Sequence, residues 1–94
     1  MVKIVWNKIA IEDLEEIELF IAQDSVNYAI ITVEKIYDRV SILKTFPKSG
    51  RLVPEFENET IRELIEGNYR IVYWLKNSRE IIILRIHHAA RLLK

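Results

Sequence analysis

The chain has no cysteine, which excludes disulfides, thiol nucleophiles and thiolate metal sites, so a domain of 94 residues must hold itself together by packing. It has no long apolar stretch either. Uninterrupted runs such as Ile81 to Leu84 fall far short of the roughly 20 residues that a membrane helix needs. The start, Met1-Val2-Lys3-Ile4, lacks the apolar segment and small-residue cleavage site of a secretory signal, so the cytoplasm is the expected compartment. Net charge is zero, which removes overall charge as a means of gripping nucleic acid. No low-complexity tract and no internal repeat interrupts a composition that is 50% hydrophobic, and residues 1–94 are expected to form one domain around one core.

Charge is absent only on average. Residues 1–47 carry five Lys and Arg against eight Asp and Glu, and residues 48–94 carry nine against six, so the second half is the basic one. That half contains the most informative segment, Ile61 to Tyr73. Two runs rich in Ile, Val and Tyr flank Gly67-Asn68, a pair that accepts the backbone angles of a tight hairpin turn. Pairing Glu66 with Tyr69 sets Ile65 opposite Arg70, Leu64 opposite Ile71, Glu63 opposite Val72 and Arg62 opposite Tyr73. Arg62 and Arg70 then point to opposite faces.

Before the hairpin, Val2 to Trp6 reads as a short first strand, with Trp6 in the core or at its rim, and Asn7 reads as the cap of a helix. Leu14, Ile17 and Ile21 recur at helical spacing, and Ala22 to Asp24 marks a break. Ser25 caps a second helix in which Ala29, Val33, Ile36, Val40 and Leu43 alternate by four and three, a seam for packing on the first helix. Pro47 is expected to stop it. Pro47 to Asn58 reads as an irregular loop pinned by Leu52, Val53 and Phe56, and Glu80 to His87 as a last strand after a loop of Lys76 to Arg79. The expected fold is α+β, with an antiparallel sheet packed on an N-terminal helical hairpin in β-α-α-β-β-β order.

With a four-residue loop, Leu75 stands opposite Glu80, Ile71 opposite Leu84 and Arg70 opposite Arg85. The helix-facing side then collects Leu64, Tyr69, Ile71, Tyr73, Ile82, Leu84 and Ile86. Glu63, Arg70, Arg85 and His87 gather on the other side, beside an apolar zone of Ile61, Val72, Trp74, Ile81 and Ile83. Two arginines directly opposed require an acid or a bound anion. The first possibility is a salt-bridge network on a solvated face; the second is a pocket for phosphate, carboxylate or RNA backbone, with His87 as general acid or base. His87 and His88 are adjacent in a strand and face opposite ways, which makes a poor zinc site, and neither metal nor cofactor is expected. Trp74 offers a surface for a partner's apolar side chain ahead of a stacked base.

The chain resembles the ParE/RelE family of toxins from bacterial type II toxin–antitoxin systems. The resemblance rests on Trp6, Ala10 and Asp13-Leu14, on Phe46-Pro47 with Gly50-Arg51, on Ile61-Arg62-Glu63-Leu64, on Tyr69-Arg70-Ile71-Val72-Tyr73, and on His88 with Arg91. It implies a cognate antitoxin that covers and silences the toxin in a hetero-oligomer, and either of two targets. One branch cleaves mRNA on the ribosome without metal, and there Arg70, Arg85 and His87 would be the catalytic set. The other poisons DNA gyrase and needs no catalytic residues. The Ile61-Arg62-Glu63-Leu64 strand, the Gly50-Arg51 loop and the His88 to Arg91 ending look more like the gyrase branch, with Arg51, Arg62, Glu63, Trp74, His88 and Arg91 as candidates for binding target or antitoxin. A non-toxic interaction domain that keeps the fold is the remaining alternative.

Overall fold

Both helices begin where a short polar side chain can replace a missing backbone partner. In the computed structural model, which describes residues 1–89, the Asn7 side chain accepts the Ala10 N–H at 2.8 Å and opens α1, Lys8–Ala22. Ser25 Oγ accepts the Tyr28 N–H at 3.1 Å and opens α2, Val26–Ser41. The α-helix ends earlier than Pro47 alone suggests, because Ile42–Lys44 tighten into a 3₁₀ turn that keeps Leu43 fully buried. Ala29, Ile36, Val40 and Leu43 of the expected seam are buried, and Val33 packs against the same core.

The strands are β1 (Lys3–Trp6), β2 (Arg51–Leu52), β3 (Ile61–Glu66), β4 (Tyr69–Asn77) and β5 (Glu80–His88), in sheet order β1-β5-β4-β3-β2. The α+β class and the β-α-α-β-β-β order hold, with β2 as a short addition inside the stretch read as loop. β1 runs parallel to β5, pairing Lys3 with Glu80 through Trp6 with Ile83, and every other pairing is antiparallel. None of the helices described is long and apolar enough to cross a membrane.

The β3–β4 hairpin has the register expected, from Ile61 opposite Trp74 to Glu66 opposite Tyr69. Gly67 takes φ +56° while Asn68 stays out of the left-handed region, the pattern of a type II′ turn. The β4–β5 hairpin differs from expectation. Its strands extend to Asn77 opposite Glu80, and irregularities between Leu75 and Asn77 and between Val72 and Tyr73 each absorb a residue. Ile81 and Ile83, not Ile82 and Leu84, therefore join Leu64, Ile71, Tyr73 and Ile86 in the core beneath the helices. Leu84 instead packs on the far side with Val72, Val53, Phe56 and Ile61.

One tyrosine ties the long loop to this core. The fully buried Tyr73 hydroxyl donates to the Pro47 carbonyl at 2.9 Å and accepts the Gly50 N–H at 2.9 Å. Gly50 is required there, since a Cβ would lie 2.5 Å from the Tyr73 hydroxyl and 2.7 Å from the Glu63 carbonyl. Tyr73→Phe leaves two buried backbone groups unpaired and is expected to cost about 1–3 kcal/mol, read by urea unfolding. Burial also pushes the Tyr73 hydroxyl above its ordinary pKa, against the smaller opposing pull of its Gly50 hydrogen bond. The corresponding stability is present below the unfolded tyrosine value of about 10 and is lost as pH rises through the folded value. Wild-type protein should thus lose stability more steeply above about pH 10 than Tyr73→Phe does, measured as melting temperature against pH.

Candidate functional site

On the sheet face away from the helices, β3 carries Glu63 with a side chain that has no exposure to solvent. Buried carboxylates need positive partners, and β2 and β4 supply one each. Arg51 stands directly opposite Glu63 across the β2–β3 ladder, and its Nε meets Oε2 at 2.6 Å. Arg70 lies diagonally across β3–β4, and its Nε meets Oε1 at 2.6 Å. The terminal nitrogens of Arg70 are taken by Glu55 from the loop, at 2.7 Å for Nη1 and 2.8 Å for Nη2. The result is a chain of alternating charge, Glu55–Arg70–Glu63–Arg51, with Val53 and Phe56 seating the loop that delivers Glu55.

The first possibility raised by the sequence is a salt-bridge network of Glu63, Arg70 and Arg85 on a solvated face; the network found has other partners, and Glu63 and Arg70 are buried in it. Arg85 does not oppose Arg70; it stands across from Val72, and the residue opposite Arg70 is His87. The Arg85 guanidinium instead clasps Asp13 of α1, through Nε at 2.8 Å and Nη2 at 3.1 Å. Asp13 also accepts the Ile86 N–H at 3.0 Å, occupying a β5 edge position beyond the four residues that β1 covers. Glu55 was missed by the sequence reading, since nothing periodic marks a loop acid that folds back onto a strand. Asp13 was recognised only as part of a motif, without its partner.

Both arginines stay cationic. The hydrogen bonds that Arg70 donates to Glu55 raise its pKa above the ordinary value despite the opposing effect of burial, and those to Asp13 do the same for Arg85. Chemically, a guanidinium whose fork is filled by a carboxylate is not free to meet a phosphate, so an anion at Arg70 must first displace Glu55.

The other candidates disperse. Arg62 is on the helix-side face opposite Tyr73 and donates from Nη1 to the Gly50 carbonyl at 3.0 Å. Its Nε is buried without a partner among the described residues. Trp74 is half-buried between Ile61 and Ile82. His88 is exposed and meets the Tyr69 ring edge-on at 5.8 Å. Arg91 lies outside the described residues.

A family model described as ParE toxin of type II toxin-antitoxin system, parDE, matches residues 4–93. Among solved structures the chain is similar to the chromosomal ParDE TA system from P. aeruginosa, with a TM-score of 0.76 and 26% identity over 94% of this chain and 96% of that one. No curated protein matches.

Because both oxygens of buried Glu63 meet guanidinium nitrogens, Glu63→Gln should cost about 1–3 kcal/mol by setting an amide donor against one of those nitrogens, while Arg70 keeps its pairing with Glu55. Arg51, whose side chain is 63% exposed, is a cheaper loss. Arg51→Gln should cost under about 1 kcal/mol, and guanidinium-chloride unfolding of the two variants reads the difference.

Proposed function

Since the chain belongs to the ParE toxin family of type II toxin–antitoxin systems, we propose that it inhibits growth in the bacterial cytoplasm by trapping DNA gyrase, and that a cognate antitoxin silences it. Residues 1–94 act in this reading as a single toxin domain. The observation that carries the choice of target is the saturation of Arg70: Glu55 fills its fork and Glu63 its Nε, on a face where Arg51 and Arg85 are also paired. Cleavage of RNA without metal needs cations aimed at the developing phosphorane charge. A neutralised face favours a protein that works by binding.

The ribonuclease alternative draws support from one observation, the placement of His87 directly across from Arg70. In that reading the ribosome with its mRNA would displace Glu55, and Arg70 and His87 would act on the phosphate, with Arg85 too far committed to Asp13 to join them.

An antitoxin partner is supported by the outer surface of the helices. Leu19, Phe20, Val26 and Tyr28 are more than half exposed, and Ile30 and Ile31 nearly so, a large apolar expanse for a small monomer. Covering it accounts for residues that the fold itself leaves in water. The complex is then a toxin–antitoxin hetero-oligomer, and saturating antitoxin should raise the melting temperature by mass action on the folded state.

The toxin reading is tested with purified chain and purified gyrase. In excess over gyrase it should block supercoiling and accumulate cleaved DNA, and undisturbed supercoiling would overturn the choice of target. Codon-phased cuts in translated mRNA, abolished in Arg70→Lys, would establish the ribonuclease instead.

A further inference from the structure

The face that carries the arginines is neutral, but another part of the surface is not. Backbone hydrogen bonds from two consecutive residues, Val2 and Lys3, draw three cations together. The Val2 N–H donates to the Lys44 carbonyl at 3.3 Å, and the Lys3 N–H donates to the Arg79 carbonyl at 2.8 Å. Lys3, Lys44 and Arg79 thereby line one open cleft of about 900 Å³. A second cleft, of about 510 Å³, is lined by Lys48 and Arg62 and shares Val2, Pro47, Asn77 and Ser78 with the first. The two form one continuous depression across the end of the sheet remote from the Gly67 turn.

Like charges brought together by backbone geometry normally acquire acids between them. Here the lining contains only Glu59 and Glu80, and Glu80 is engaged by Lys76 at 3.3 Å. None of the five lining cations makes an ion pair among the described residues, whereas Arg51, Arg70 and Arg85 all do. The fold neutralises the arginines of its sheet face and leaves this end charged.

We propose that this basic depression binds the phosphate backbone of duplex DNA. Neither cleft is lined by an aromatic side chain of the kind that anchors a peptide. Three of the five cations are lysines, point charges that take a phosphate without demanding two-point geometry. Their division into two groups, one on each side of Pro47 and Ser78, suits successive phosphates along a strand better than one small anion. Binding is sequence-independent, because backbone contacts position a protein without reading bases. This deepens the gyrase reading and rests on it for its biological setting: the depression would hold DNA at the gyrase complex while other surface meets the enzyme.

The test needs no gyrase. Fluorescence anisotropy of the purified chain with a labelled 20-base-pair duplex of arbitrary sequence should show weak binding that falls steeply with salt, with a log–log slope of about −3 to −4 for three or four phosphates neutralised. Lys3→Gln with Lys44→Gln should weaken binding about ten-fold at low salt and flatten that slope by about 2. Lys8→Gln with Lys35→Gln makes the same charge change elsewhere and should alter affinity less than about two-fold, with melting temperatures confirming that both double variants fold. Equal weakening by the two double variants would overturn the site in favour of net charge alone. Absence of binding at low salt, tighter capture of a polyglutamate peptide than of the duplex, or a strong preference for single-stranded RNA would each overturn the ligand. DNA binding that depends on Lys3 and Lys44, alongside unimpaired supercoiling, would refute the gyrase reading and leave the depression's ligand established.

Discussion

Glu63 carries its charge into a place without solvent, which is tolerable only beside a guanidinium group, and each of its oxygens meets one. That condition reaches well beyond one side chain. Arg51 answers it from β2, which fixes a two-residue strand that would otherwise have little to hold it on the sheet edge. Arg70 answers it from β4, and the remainder of its guanidinium then needs Glu55, which draws the loop over Val72 and Leu84. Loop, edge strand and central strand are therefore one electrostatic unit. The unit encloses an apolar cluster distinct from the core under the helices.

Tyr73 complements this from the opposite face of β4. Its hydroxyl fastens Pro47 and Gly50, so the chain leaving the helices is held on one side of the sheet by neutral hydrogen bonds and, a few residues later, on the other by charge. Gly50 sits against both systems, touching the Tyr73 hydroxyl and the Glu63 backbone. A long connection with little regular structure is thus positioned closely, and the charged end depression takes part of its lining, Pro47 and Lys48, from that same connection.

Much of this was readable where local chemistry decides the outcome. Asn7 and Ser25 announce helix starts because a short polar side chain is the cheapest partner for an end N–H, and Gly67 sets the β3–β4 register because the turn admits little else. The β4–β5 register was not readable. Ile81, Ile82, Ile83 and Leu84 are equally apolar, so alternation carries no information about which pair faces the helices, and Lys76 to Arg79 looks like a loop when half of it belongs to a strand. That ambiguity is what separated Arg85 from Arg70 and exchanged it for His87. Glu63 as a partner for Arg70 followed from a diagonal in a known register; Glu55 and Asp13 depend on the path of distant segments, which no local pattern encodes.

The parallel pairing of β1 with β5 places the first strand of the chain beside the last one described. A ribosome emits the first strand long before its partner exists, and until then Ile4 and Trp6 have no sheet to join. Contacts this far apart in sequence close late, after most loop-closure entropy has been spent. The sheet should consequently stay incomplete until β5 has been made and has left the ribosome. That ordering separates the making of the helices and of the β3–β4 hairpin from the closing of the sheet, and it leaves an interval in which another protein can meet the chain before its fold is complete.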